Sequence, residues 1–82
     1  DIIAEFKNEL IIIEVKTRAS RFLAGPEETV TKSKQRSIIK AAQQYIIEHE
    51  IDLETRFDII SIILNQNEIS IDHLEDAFYP LR

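Results

Sequence analysis

The chain has 82 residues, 44% of them hydrophobic, and a net charge of −5, which fits one small domain with a single modest core. It has no cysteine, which excludes disulfides and thiolate metal sites. No apolar run reaches the roughly 18 residues of a membrane span and no signal peptide is visible, so a cytoplasmic protein with no membrane partner is expected.

The chain opens at Asp1 without a methionine, and it reads as an N-terminally truncated single domain spanning residues 1–82. The acidic total hides an uneven distribution. Residues 15–40 hold seven basic side chains and two acidic ones, a local +5, against −10 elsewhere. Such asymmetry says more than the sum, although a cluster this small is also ordinary solvated surface.

Residues 1–6, DIIAEF, are short and rich in β-branched residues, and predict a strand. Residues 9–17, ELIIIEVKT, predict a second, with Lys7-Asn8 as a tight hairpin turn. Residues 18–30 hold the only glycine, as Gly25-Pro26, and read as a loop. Thr31 is placed to cap a helix from Lys32 to about Glu48. Its apolar stripe is Ile38, Ala42, Tyr45, Ile46 and His49, with Ile39 at the border. RFDIISIIL, residues 56–64, is a nearly continuous apolar run and predicts a strand covered on both faces. Asn65-Gln66-Asn67 turns the chain into an alternating strand, residues 68–72, expected at a sheet edge. Residues 74–79 are expected to form a short helical turn. The order is ββαββ: an α/β fold, a mixed sheet with one main helix as the crossover between strands two and three.

The segment LIIIEVKTR places Glu14 and Lys16 on one face of the second strand, because side chains alternate. A two-residue loop at Lys7-Asn8 pairs Phe6 with Glu9 and carries the register to Asp1 opposite Glu14. Their Cβ atoms would then lie about 5 Å apart. Opposed carboxylates destabilise a sheet unless a cation lies between them. Asp and Glu oxygens are hard ligands suited to Mg²⁺ or Mn²⁺, and the peptide carbonyl of Val15 is a further candidate ligand. Lys16 would then stabilise the charge on an attacked phosphate or help to activate a water. The competing explanation is a solvated cross-strand ion pair at a frayed strand end.

The pattern D-(x)12-E-x-K across two antiparallel strands resembles the PD-(D/E)xK nuclease superfamily, with its restriction-endonuclease-like core. The text as a whole is most similar to the YraN-type family of uncharacterised bacterial proteins. The matching stretches are DIIA at 1–4, IEVKTR at 13–18, GPEE-V at 25–30, KQR at 34–36, AAQQYI at 41–46, RFDII at 56–60 and H-x-x-x-AF at 73–78. The resemblance implies a nuclease-like core in which Asp1 and Glu14 bind the metal and Lys16 assists catalysis. It also implies a helix upstream of Asp1 that this chain lacks, and a residue early in the main helix near the metal.

Lys34, Gln35 and Arg36 open that helix. Lys34 and Gln35 are the candidates to support the metal site, and all three are candidate nucleic-acid contacts, since a bound phosphate would offset their unfavourable place on the helix dipole. Arg18 and Arg21 are expected to flank the site in the loop and to contact phosphodiester backbone in a sequence-neutral way. Glu27 and Glu28 are assigned to positioning that loop. Asp58 is expected to pair with Arg56. His49 and His73 lack metal-ligand spacing and are assigned structural roles, His73 as a cap of the C-terminal turn.

The expectation is therefore a metal-dependent endonuclease acting on DNA ahead of RNA, with branched or junction DNA suggested by analogy to resolvases of the same superfamily. A homodimer would suit cutting two strands. The rival expectations are a nucleic-acid-binding module without turnover and a protein-interaction domain using residues 68–72 or an apolar surface.

Overall fold

The computed structural model describes residues 2–18 and 30–79. Strand β1 (Ile2–Phe6) and strand β2 (Glu9–Arg18) form a hairpin. Lys7 and Asn8 close it with φ of 50° and 66°. Two successive positive φ values give the tight turn whose twist matches that of the flanking strands. The register runs from Phe6 opposite Glu9 to Ile2 opposite Ile13, as the two-residue loop requires.

Helix α1 (Lys32–Glu48) begins where the Lys34 N–H donates to Thr31 Oγ1 at 3.1 Å. It ends in a Schellman motif. The Ile51 N–H donates to the Ile46 carbonyl and the Glu50 N–H to that of Ile47, with Glu50 at φ 50°. The helix carries the chain back across the sheet, so strand β3 (Glu54–Asn65) pairs parallel to β2. Strand β4 (Glu68–Phe78) returns antiparallel to β3. The sheet order is β1-β2-β3-β4, a mixed sheet.

The core lies between the sheet and α1. Leu10 and Ile12 of β2, Phe57 and Ile59 of β3, and Phe78 of β4 meet Val30, Ile38, Ile39 and Ala42. Each large side chain so buried contributes about 2 kcal/mol relative to exposure. Phe57 and Phe78 stack with centroids 5.1 Å apart. Tyr45 and Ile46 pack at the margin, whereas His49 is exposed at the helix end, its backbone N–H donating to the Tyr45 carbonyl at 3.0 Å. Among the described residues, no helix is long and apolar enough to cross a membrane.

Three expectations are corrected. Residues 74–78 are strand, not a helical turn. A bulge between Phe57 and Ile59 shifts the pairing, with Asp76 at φ 56°, and this breaks the alternation that would have announced a strand. Arg18 ends β2 opposite Ile63 and does not belong to the following loop. The face of β3 away from α1 is only half covered: Ile60 and Ile62 are partly exposed. The alternation of β4 also has an unforeseen sense. Asp72, opposite Ser61, shares the helix-bearing face with Leu74, which is partly buried against the core, while Ile69 and Ile71 stand 68% and 65% exposed on the other.

Candidate active site

Glu14 and Lys16 share a face with Leu10 and Ile12, two residues back along β2, and those residues are core. The alternation that builds the hydrophobic layer therefore drives Glu14 under the start of α1. It is only 4% exposed. A buried carboxylate is costly unless it is compensated, and here two ammonium groups supply compensation. Lys16 Nζ lies 3.4 Å from Glu14 Oε2, and Lys34 Nζ approaches the same oxygen at 3.9 Å. Both distances are ion-pair contacts, longer than a good hydrogen bond. The other oxygen, Oε1, is buried and accepts no hydrogen bond.

Lys34 thus reaches the site, as the helix-opening position suggested. Gln35 does not: its Nε2 donates to the Val30 carbonyl at 3.0 Å and ties the helix start to the incoming chain. Arg36 also points elsewhere. With Lys32, Gln35, Ile39 and Tyr79 it lines a shallow pocket on the β4 side of α1. Arg18 is half-buried at the end of β2, on the same face as Glu14 and Lys16. Val15, the candidate carbonyl ligand, follows Glu14 in the strand opposite Ile60. Asp1 and Arg21 lie outside the described residues, as do Glu27 and Glu28.

A second buried carboxylate occupies the opposite face. Asp58 is fully buried, and each of its two oxygens has two hydrogen-bond partners. Arg56 donates to it twice, Nε to Oδ1 at 2.9 Å and Nη2 to Oδ2 at 2.8 Å. The Asp76 N–H donates to Oδ1 at 2.9 Å, and His73 Nε2 meets Oδ2 at 2.7 Å. Desolvation is the largest single influence on Asp58 and pushes its carboxyl up. The Arg56, Asp76 and His73 hydrogen bonds with the Arg56 charge outweigh it and hold the group below the usual carboxylate range. The Asp58 hydrogen bond in turn raises Arg56, which also pairs with Glu9 and Glu75. His73 therefore fastens β4 to β3, and caps no turn. This cluster pins the bulge of β4 and leaves Asp58 no free valence for a ligand.

Ser61 was missed by sequence reasoning. It is fully buried opposite Lys16, and its hydroxyl has no hydrogen-bond partner. The only sequence signal was one hydroxyl in the apolar run RFDIISIIL, on the same face as Phe57 and Ile59.

With this geometry in hand, the chain can be set beside known proteins. The model of the uncharacterised protein family UPF0102 matches residues 1–62. The chain belongs to UPF0102. A UPF0102 protein of Phocaeicola vulgatus is 46% identical over 80 residues, 98% of this chain and 66% of the relative. One from Flavobacterium psychrophilum is 46% identical over 79 residues, 96% of this chain and 66% of the relative. One from Parabacteroides distasonis is 49% identical, covering 96% of this chain and 65% of the relative. The chain thus spans slightly less than two thirds of the length of these UPF0102 relatives.

What the site offers chemically is a hard anionic oxygen with no donor on it, beside two cations. Among the described residues, no group of three or more His, Asp and Glu side chains converges on a metal position. Glu14 Oε1 nevertheless fits a divalent cation, because a buried carboxylate oxygen without a partner is the donor that Mg²⁺ or Mn²⁺ takes, with waters and phosphate oxygens completing the shell.

Proposed function

We propose that this UPF0102 chain carries the core of a metal-dependent endonuclease that hydrolyses DNA phosphodiester bonds, with branched DNA as a candidate substrate. The observation that carries the reading is Glu14: a buried carboxylate with one oxygen facing two lysine ammoniums and the other unpartnered. A residue kept only for stability would not leave a buried acceptor unmade, which costs about 1–3 kcal/mol.

In this reading Glu14, with Asp1, holds the cation. Mg²⁺ or Mn²⁺, when bound, supplies a more acidic water and neutralises phosphate charge. Lys16 is aimed by the strand at the same place. Lys16, beside Glu14 on the same strand face, would stabilise charge growing on the scissile phosphate. Lys34, from the helix, binds a neighbouring phosphate oxygen. Arg18 and the basic residues around it lend sequence-neutral affinity for the backbone.

A second reading has one observation in its favour. One carboxylate against two ammoniums gives a site of charge +1, able to hold a phosphate without hydrolysing it. Incubation of the protein with linear, flapped and four-way DNA in Mg²⁺ or Mn²⁺ separates the two. Cleavage by the unmutated protein that is lost in Lys16→Ala, with DNA binding retained, is the expected result. Binding without any product in either metal would discard the endonuclease and leave the binding module.

A further inference from the structure

Among the described residues, two buried oxygens on the helix-bearing face have no partner: Glu14 Oε1 and Ser61 Oγ. They stand on neighbouring strands. Glu14 is opposite Ile59 and Lys16 opposite Ser61, so Ser61 lies one side-chain step further along β3 from Glu14, on the same face. Parallel strands run about 4.8 Å apart and rise about 3.3 Å per residue, so the two Cα positions, offset by two residues, are about 8 Å apart on one face. Along this face of β3 the residues are Phe57, Ile59, Ser61 and Ile63, all buried. Three are large and apolar. The fourth is small, and its hydroxyl is sealed from solvent at 0% exposure. Alanine would serve packing equally well without a desolvated hydroxyl, and isoleucine would fill the layer as it does on either side.

We infer that Ser61 is a positioning residue of the Glu14–Lys16 site, its hydroxyl holding a water that belongs to the shell of a divalent cation bound at Glu14. The inference rests on the metal-dependent reading proposed above and adds to it a role for β3. Its chemistry is complementary. Glu14 Oε1 is an acceptor only and meets the cation directly. A hydroxyl both donates and accepts, so Ser61 can accept a hydrogen bond from a water in the cation's shell. One bound assembly would satisfy both orphaned groups. Groups behind a metal's direct ligands fix orientation in this way, and their loss typically lowers metal affinity by about 10- to 100-fold.

The test is Mn²⁺ binding, followed by paramagnetic resonance of the free ion, to the protein and to its Ser61→Ala, Ser61→Thr and Glu14→Gln variants, with metal-free thermal melting alongside. The expected result is affinity about tenfold weaker in Ser61→Ala and near that of the parent in Ser61→Thr, which keeps the hydroxyl. The metal-free melting temperature of Ser61→Ala should equal or exceed the parent's, because only an unpaired hydroxyl has gone. Parent-like Mn²⁺ affinity in Ser61→Ala overturns the inference while the metal reading stands, provided that Glu14→Gln abolishes binding. Weakening in Ser61→Ala that Ser61→Thr fails to restore overturns it too, since that pattern marks a packing effect. Absence of Mn²⁺ binding in the parent protein removes both the metal reading and the role of Ser61.

Discussion

Glu14 and Asp58 are both buried carboxylates, on neighbouring strands and opposite faces of one sheet, and they are treated differently by what surrounds them. Asp58 receives two bonds from Arg56, one from a backbone N–H and one from His73. Glu14 has two ammoniums at ion-pair distance on one oxygen and nothing on the other. Burial of a charge alone therefore does not mark a site. The informative quantity is the valence left over: a saturated carboxylate holds the fold together, and an unsaturated one is available to a ligand.

The sharpest way to break this comparison is to remove each acid in turn. Asp58→Ala should cost the most stability, about 3–5 kcal/mol, because it strands Arg56 and frees the β4 bulge. Urea unfolding followed by circular dichroism would measure it. A loss below about 1 kcal/mol would mean that the Arg56 network is ornamental. Lys16→Ala, by contrast, should lower DNA cleavage by about 100-fold or more, as expected for a removed charge stabiliser. Glu14→Gln should abolish cleavage while changing unfolding free energy by less than about 1.5 kcal/mol, since it removes a charge that was only partly compensated. If Glu14→Gln proved as destabilising as Asp58→Ala, the two acids would be equivalent and the distinction drawn above would collapse.

Acid provides a gentler version of the same contrast. The Asp58 carboxyl sits below its unfolded value of about 3.9. As pH falls through that range, the unfolded chain takes up a proton before the folded one does, and stability drops. The contribution is fully present above about pH 4 and lost as pH falls through the folded value. Asp58→Asn, which has no proton to take up, should show a flatter acid limb in thermal melts recorded between about pH 5 and 2. An unchanged limb would place the acid sensitivity in other carboxylates.

Much of this architecture was legible in the chain itself. The hairpin register followed from Lys7-Asn8 and was found from Phe6 opposite Glu9 to Ile2 opposite Ile13, the pair of Asp1 with Glu14 lying outside the described residues. The helix bounds followed from Thr31 and from the periodicity. Glu14 and Lys16 followed from alternation. Two of the misses share a cause: each turns on a contact between residues distant in sequence. The strand at residues 74–78 depends on Asp58 binding the Asp76 N–H, eighteen residues away, and no local pattern signals it. Ser61 looked like one more strand residue because its significance lies in standing opposite Lys16. Gln35 and Lys34 were equivalent as text, and only the helix phase separates them, sending one to Val30 and the other to Glu14.

Lys34 gives the smallest predicted effect and the most discriminating one between catalysis and binding. Its side chain is 48% exposed and stands 3.9 Å from Glu14, so solvent screens the pair and its removal should alter stability by less than about 0.5 kcal/mol. If its role is to meet a phosphate, Lys34→Ala should weaken DNA binding several-fold and make the logarithmic salt dependence shallower by about 0.7–0.9, the release of one counterion. A fall in affinity with an unaltered salt slope would mean that Lys34 acts only through Glu14, holding the carboxylate in place. A change in slope with Mn²⁺ affinity unchanged would separate the two halves of the proposed site: the helix end proposed to meet the DNA backbone and the strand proposed to carry the chemistry.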